Sequence, residues 1–232
     1  MKVAIIPARG GSKRIPRKNI KSFCGKPMIA WSIQAAQVSD CFDQVIVSTD
    51  DDEIAEVARA CGADVPFKRP AELSDDYTGT IPVVAHAIDW MSTNITPVEH
   101  ACCLYATAPF LQAEDLRRGF DVLEQSGADY AFSVTSYASP IQRAIRITAD
   151  QRVEMFNPER FNTRSQDLEE AFHDAGQFYW GRATAWLAAK PLFSHDAVPV
   201  LLPSHRVQDI DTEEDWVRAE LMFKVINQSR GK

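Results

Sequence analysis

The sequence predicts an α/β fold, a mostly parallel sheet with helices on both faces. Short apolar runs of strand length alternate with helical stretches through most of the chain. The helical stretches carry start and stop signals: a proline or aspartates before, a glycine after. With 232 residues, 45% of them hydrophobic, the chain is long enough to bury a core without covalent staples. One domain over residues 1–232 is expected, with an arm inserted at 139–170.

The elements follow in order. Residues 3–7 are an apolar run, and a basic loop comes next. Pro27 opens a helix at a favoured first position, reaching about Val38. Gln44–Ser48 is a second buried strand. Asp50, Asp51 and Asp52 are placed to cap a helix over 53–61, which Gly62 ends. Residues 64–67 read as a short strand, 80–91 as a helix, 101–105 as a strand. A helix over 113–125 stops at Gly127, and 130–135 is a strand. Residues 139–170 hold only short alternating runs, at 144–147 and 153–156, and a polar stretch, hence the reading as a β-rich arm. Strands at 177–180 and 198–202 follow. A helix over 212–227 closes the chain, with Glu213, Glu214 and Asp215 favourable to its dipole.

Composition excludes several classes. No apolar run approaches the roughly 20 residues that span a bilayer. The first apolar run ends at Arg9, too short for a signal-peptide core, so a cytoplasmic protein is expected. The five cysteines are odd in number and lack C-x-x-C spacing, which argues against a disulfide framework or a zinc site. Cys102 and Cys103, adjacent in a strand, should face opposite sides of the sheet. Net charge is −7, yet residues 1–21 hold seven basic residues and no acid. One concentrated basic loop on an acidic protein suits a local anion rather than nucleic acid.

That loop reads Ala8-Arg9-Gly10-Gly11-Ser12-Lys13-Arg14-Ile15-Pro16-Arg17-Lys18-Asn19. Paired glycines let backbone N–H groups turn toward an anion. Ser12 adds a hydroxyl, and Arg9, Lys13 and Lys18 add charge that can neutralise phosphate. Neither G-x-x-x-x-G-K-[ST] nor G-x-G-x-x-G is present. Ligands of parallel sheets sit beyond the carboxyl ends of the strands, where this loop lies.

The acidic counterpart is Gln208-Asp209-Ile210-Asp211-Thr212. In extended backbone Asp209 and Asp211 share a side and Ile210 turns to the core. Two hard carboxylates suit Mg²⁺, which takes phosphate and water as its other ligands; Mn²⁺ is the alternative. Asp211 also precedes the terminal helix and is placed to cap it.

These motifs together resemble the CMP-sugar synthetase (acylneuraminate cytidylyltransferase) family. The match runs through Ile5-Ile6-Pro7-Ala8-Arg9-Gly10-Gly11-Ser12-Lys13, Val47-Ser48-Thr49-Asp50, Arg69-Pro70-Ala71-Glu72-Leu73 and Asp209-Ile210-Asp211-Thr212, so it covers essentially the whole chain. Thr163-Arg164-Ser165-Gln166-Asp167-Leu168 and the run from His173 to Trp180 are most similar to the branch acting on pseudaminic acid. One departure stands out: sialic acid synthetases carry Gln-Pro-Thr-Ser-Pro where this chain has Tyr105-Ala106-Thr107-Ala108-Pro109.

The resemblance implies a Rossmann-like sheet of the nucleotide-diphospho-sugar transferase type with a small dimerisation arm, hence a homodimer. It implies CTP and an acidic nine-carbon sugar as substrates, and neither nucleic acid nor membrane as a partner. Arg9, Lys18 and Asp211 would be catalytic. Ala8, Arg9, Gly10, Gly11, Ser12, Lys13, Asn19, Arg69 and Thr80 would surround the nucleotide. Arg164, Gln166, Gln177 and Tyr179 would bind the sugar, and Asp209 and Asp211 the metal. Alternatives are CMP activation of legionaminic, N-acetylneuraminic or 3-deoxy-octulosonic acid, and a non-catalytic CTP-binding module.

Overall fold

The computed structural model describes residues 1–230, so the last two residues of the domain expected over 1–232 lie outside the described residues. Strand β1 (Lys2–Pro7) is buried at its four central positions, as a strand covered on both faces must be. Past the basic loop comes a hairpin that the sequence did not announce, β2 (Ser22–Phe23) with β3 (Lys26–Pro27). Its strands are too short to show a pattern. It turns through Cys24 and Gly25, both at positive φ. Pro27 is therefore extended (φ −54°, ψ 141°) and precedes helix α1 (Met28–Ser39) instead of being its first residue.

Strand β4 (Gln44–Ser48) follows, and then α2 (Asp52–Ala60), capped by Asp51, which accepts from the Ile54 N–H. Residues 64–67 do not form the expected strand. They meet the sheet through single bridges, Ile46 to Asp64 and Thr49 to Lys68, because Pro66 has no N–H to donate to a ladder. The order continues with α3 (Thr80–Asn94), β5 (His100–Leu104), α4 (Ala113–Ser126) and β6 (Tyr130–Ser136). Within 139–170 the structure has a small antiparallel hairpin, β7 (Ile145–Ile147) with β8 (Val153–Met155), and three 3-10 turns. After it come β9 (Phe172–Arg182), α5 (Ala183–Leu187), β10 (Ala197–Leu201) and α6 (Glu213–Arg230). No described helix is long and apolar enough to cross a membrane.

The sheet order is β10-β6-β9-β5-β1-β4. All pairs are parallel except those of β9, which runs antiparallel to both β5 and β6. Only the apolar centre of this strand was visible in the sequence, since its first three residues, Phe172, His173 and Asp174, are not buried. The β6–β9 register shifts between Phe132 and Val134. There the buried Ser133 hydroxyl accepts from the Gln177 and Phe178 N–H groups and donates to the Phe178 carbonyl. Side-chain oxygen thus replaces ladder partners beside the ligand end of the sheet.

Helices α1, α2 and α4 cover one face, with Cys102 in their core. Helices α3 and α5 cover the other, with Cys103, so the two cysteines face opposite ways as expected. At residue 119 helix α4 presses directly on β9. A Cβ there would sit 2.7 Å from Phe178 and 2.9 Å from Trp180, so only glycine allows the approach.

Candidate active site

A third apolar cluster brings the two ends of the chain together. Ile15 of the basic loop, Phe23 of the hairpin, Met28, Phe110, Ile210 and Trp216 of α6 bury one another. Ile15 is fully buried and Ile210 nearly so. Burying two such side chains favours the contact by a few kcal/mol. It carries the residues beside them, Arg14 and Asp211, into one cleft.

Lys18 spans that junction. Its Nζ donates to the Ile210 carbonyl at 2.7 Å and lies 3.3 Å from Asp211 Oδ1. Arg14 Nη1 reaches Asp211 Oδ2 at 2.7 Å. On the opposite rim Arg9 Nη1 donates to the Asp75 carbonyl and to Asp76 Oδ1, both at 2.7 Å, and Lys13 also pairs with Asp76. A row of four cations is therefore held between two carboxylates. The hydrogen bonds from Lys13 and Arg9 hold the Asp76 carboxyl below the usual carboxylate range.

The loop itself is tied from behind. Gly10 N–H donates to Asp50 Oδ1 at 3.0 Å, and Ser12 N–H to the Gly10 carbonyl at 3.0 Å. A Cβ on Gly10 would stand 2.7 Å from Asp51 Oδ2, which accounts for the glycine. Arg17, at a left-handed φ of 56°, forks onto Asp51 at 2.6 and 2.8 Å. That bond holds the Asp51 carboxyl near 2. Asn19 clamps the loop by donating to the Arg9 carbonyl at 3.0 Å.

The cavity these groups face holds about 460 Å³ and is lined by Arg9, Ser12, Lys13, Arg14, Lys18, Asn19, Arg69, Thr80 and Tyr105, among others. Arg69 is 5% exposed, and its Nε and Nη2 have no hydrogen-bond partner. Burial lowers its pKa. Its nearest carboxylate, on Asp50, is 3.9 Å away. Unsatisfied buried donors of this kind are costly unless something accepts from them.

Of the sequence candidates, Arg9, Ser12, Lys13, Lys18, Asn19, Arg69 and Thr80 thus line one cavity, with Asp211 at its edge. Ala8 is buried behind it, its N–H given to the Ser48 carbonyl. The Gly10 N–H is already taken by Asp50, so the loop offers the cavity mainly side chains. Gln177 is buried, donating to the Arg206 carbonyl at 2.6 Å while its Oε1 has no partner. Tyr179 is buried and its hydroxyl donates to Asp174. Arg164 and Gln166 stand on the exposed arm, Arg164 paired to Asp167 at 2.7 Å; neither lines the cavity. Sequence reasoning missed Arg14, Asp76, Tyr105 and Asp174 as parts of the site. Their only signal was standing in or beside quoted motifs; Arg14, Asp76 and Tyr105 act through contacts distant in sequence, and Asp174 through Tyr179 five residues on.

Asp209 and Asp211 are close enough for the Asp211 charge to act on Asp209. Partial desolvation and then that repulsion raise the Asp209 pKa. Among the described residues Asp211 takes both ion pairs to the loop and Asp209 takes none. Two neighbouring carboxylates, one of them without an ion pair, fit a hard divalent cation completed by phosphate and water. A basic row, unsatisfied buried donors and a carboxylate pair can together hold a triphosphate and the group that attacks it.

A cytidylyltransferase family model matches residues 3–196. The pseudaminic acid cytidylyltransferase of Campylobacter jejuni is 44% identical over 98% of both chains. The CMP-N,N'-diacetyllegionaminic acid synthase of Legionella pneumophila is 33% identical over 96% of both. Among solved structures, a CMP:2-keto-3-deoxy-manno-octonic acid synthetase complexed with CTP superposes with a TM-score of 0.70 at 16% identity, covering 96% of this chain and 98% of the other. That likeness concerns the fold.

Proposed function

The chain belongs to the cytidylyltransferase family, and on that premise we propose that it transfers CMP from CTP to the anomeric hydroxyl of pseudaminic acid. The hydroxyl oxygen bonds to the α-phosphorus, the α–β phosphoanhydride bond breaks, pyrophosphate leaves, and the hydroxyl proton passes to a base or to water. The observation that carries this reading is Lys18, whose Nζ joins the phosphate loop to the Asp209–Asp211 segment across 192 residues of sequence.

Such a reaction needs positioning and charge neutralisation more than covalent chemistry. Arg9, Lys13 and Arg14 would release Asp76 and Asp211 to take up triphosphate oxygens. Lys18, the least exposed of the four cations at 18%, would stabilise charge developing on the leaving phosphates. The free donors of Arg69 would meet acceptors on the base. Asp209 and Asp211 would hold Mg²⁺ or Mn²⁺. Bound there, the ion would supply phosphate charge neutralisation and a lowered pKa for the attacking hydroxyl.

The exposed arm supports a homodimer. Ile145, Ile147, Val153, Phe156 and Phe161 are 55–70% exposed, an apolar patch of the kind that marks an interface. A second copy's arm would deliver Arg164 and Gln166 to the sugar site.

The test is incubation with CTP, Mg²⁺ and a panel of nonulosonic acids. Pyrophosphate release with pseudaminic acid above all others is expected. Faster release with legionaminic or N-acetylneuraminic acid reassigns the acceptor, and none with any sugar overturns the reading. Sedimentation of a fully active monomer would remove the dimer.

A further inference from the structure

Two cations of the basic loop, Arg9 and Lys13, share one carboxylate. Asp76 Oδ1 accepts from Arg9 Nη1 at 2.7 Å, and Asp76 Oδ2 pairs with Lys13. The Asp75 carbonyl also accepts from Arg9 Nη1, again at 2.7 Å. A guanidinium Nη carries two protons. Both protons of this one are therefore committed to the loop that precedes α3. A phosphate oxygen can bond to Arg9 Nη1 only by taking the place of Asp75 or Asp76. Arg9, Lys13 and Asp76 all line the cavity, so that exchange happens inside the site.

The Asp76 carboxylate lies where a bound polyphosphate must put its own charge. The two anions cannot stay side by side, because like charges a few ångströms apart repel. The loop is built so that Asp76 can leave. Its turn is held by the neighbouring carboxylate: Asp75 Oδ1 accepts from the Tyr77 N–H at 2.9 Å, the Thr78 N–H at 2.6 Å and the Thr78 hydroxyl at 2.7 Å. Among the described residues Asp76 has hydrogen bonds to Arg9 and Lys13 alone. Tyr77 beside it is 94% exposed, so no apolar packing pins this part of the loop. Breaking the Asp76 contacts leaves the turn intact.

We infer that Asp76 is an internal counter-anion that competes with phosphate for Arg9 and Lys13, weakening the hold on pyrophosphate and so hastening its release. The inference rests on the nucleotidyl-transfer reading above. Cations left bare would bind a polyphosphate product tightly and let it go slowly. Cations occupied part of the time bind it more weakly, in proportion to the fraction of time they are free. Arg9 and Asp76 are each about one-third exposed and Lys13 is mostly exposed. Ion pairs in such surroundings contribute about threefold each, hence about 10-fold together.

Asp76→Asn keeps the size of the side chain and removes its charge; Asp76→Ala removes both. Calorimetric titration with inorganic pyrophosphate, in the absence of CTP and sugar, measures the competition directly. Both variants should bind pyrophosphate about 10-fold more tightly than the wild type. Pyrophosphate should also inhibit their turnover at about 10-fold lower concentration. Tightening separates the roles, since loss of a merely structural carboxylate would loosen the site and weaken binding. Adding Arg9→Ala removes one of the two targets, so in that background the gain from Asp76→Asn should fall to about threefold. Pyrophosphate binding that is unchanged or weaker in folded Asp76→Asn and Asp76→Ala proteins would overturn the inference, as would an undiminished gain beside Arg9→Ala. A wild type that neither binds pyrophosphate nor releases it from CTP would instead overturn the nucleotidyl-transfer reading, and the inference with it.

Discussion

Replacing Asp51 by asparagine removes the charge on which the basic loop is anchored and leaves the shape almost unchanged. Asparagine still caps α2, because it is among the preferred cap residues, so the charge term is isolated. In the folded chain the Asp51 carboxyl lies near 2 instead of 3.8, chiefly through the hydrogen bond from Arg17. A gap of nearly two pH units corresponds to about 2.5 kcal/mol at neutral pH. Arg17 is 37% exposed and Asp51 23%, so solvent screening reduces this to roughly 1–2 kcal/mol. The sign follows from the depressed pKa. The contribution is complete above the unfolded value of 3.8 and is lost as pH falls through 2. By pH 3 roughly half of it should be gone. Urea titrations of both proteins at pH 7 and pH 3 measure this. With a slope of ~2 kcal/mol/M the midpoints should differ by about 0.5–1 M at pH 7 and by roughly half as much at pH 3. An equal difference at both pH values would show that the Asp51 charge is not what holds the loop.

Three further outcomes are expected. Lys18→Ala should lower kcat about 100-fold or more while CTP KM changes less than about threefold; steady-state pyrophosphate release measures both, and a loss confined to KM would make Lys18 a ground-state phosphate ligand only. Asp115→Ala leaves the Arg206 guanidinium, 11% exposed and bound to Asp115 at 2.5 Å, buried without a partner. That should cost about 3–5 kcal/mol and lower the calorimetric Tm by about 6–20 °C, while Asp115→Leu with Arg206→Met recovers most of it. Gly119→Ala forces a methyl against Phe178 and Trp180 and should cost about 1–3 kcal/mol by chemical denaturation.

The site was legible where chemistry is local. The basic residues of the loop line the cavity, and the glycine pair and the D-x-D spacing beside it each state a requirement that a few adjacent residues can meet. Asp76, Tyr105 and Asp174 were not legible as site residues. An aspartate in a polar loop and a tyrosine after a strand have ordinary local explanations; the partners of Asp76 lie 63 and 67 residues away and the Thr80 partner of Tyr105 lies 25 away, while Asp174 bonds Tyr179 five residues on, across a bend that no periodicity shows. The hairpin at Ser22–Phe23 and Lys26–Pro27 was missed because two-residue strands have no period. The bridges at Asp64 and Lys68 were overread because an apolar pair resembles a strand until Pro66 is counted against its ladder.

By itself the sequence determined the layered α/β architecture, because buried strands and capped helices are set by side-chain polarity within a few residues. It also gathered into one short segment the cations that line the cavity, Arg9, Lys13, Arg14 and Lys18. The three-dimensional fold alone decided that Lys18 reaches Ile210 and that the Tyr105 hydroxyl meets Thr80 at the cavity wall. Those contacts depend on which apolar faces pack together, here Ile15 against Ile210 and β9 between β5 and β6. Long-range packing is a property of the whole chain, not of any segment.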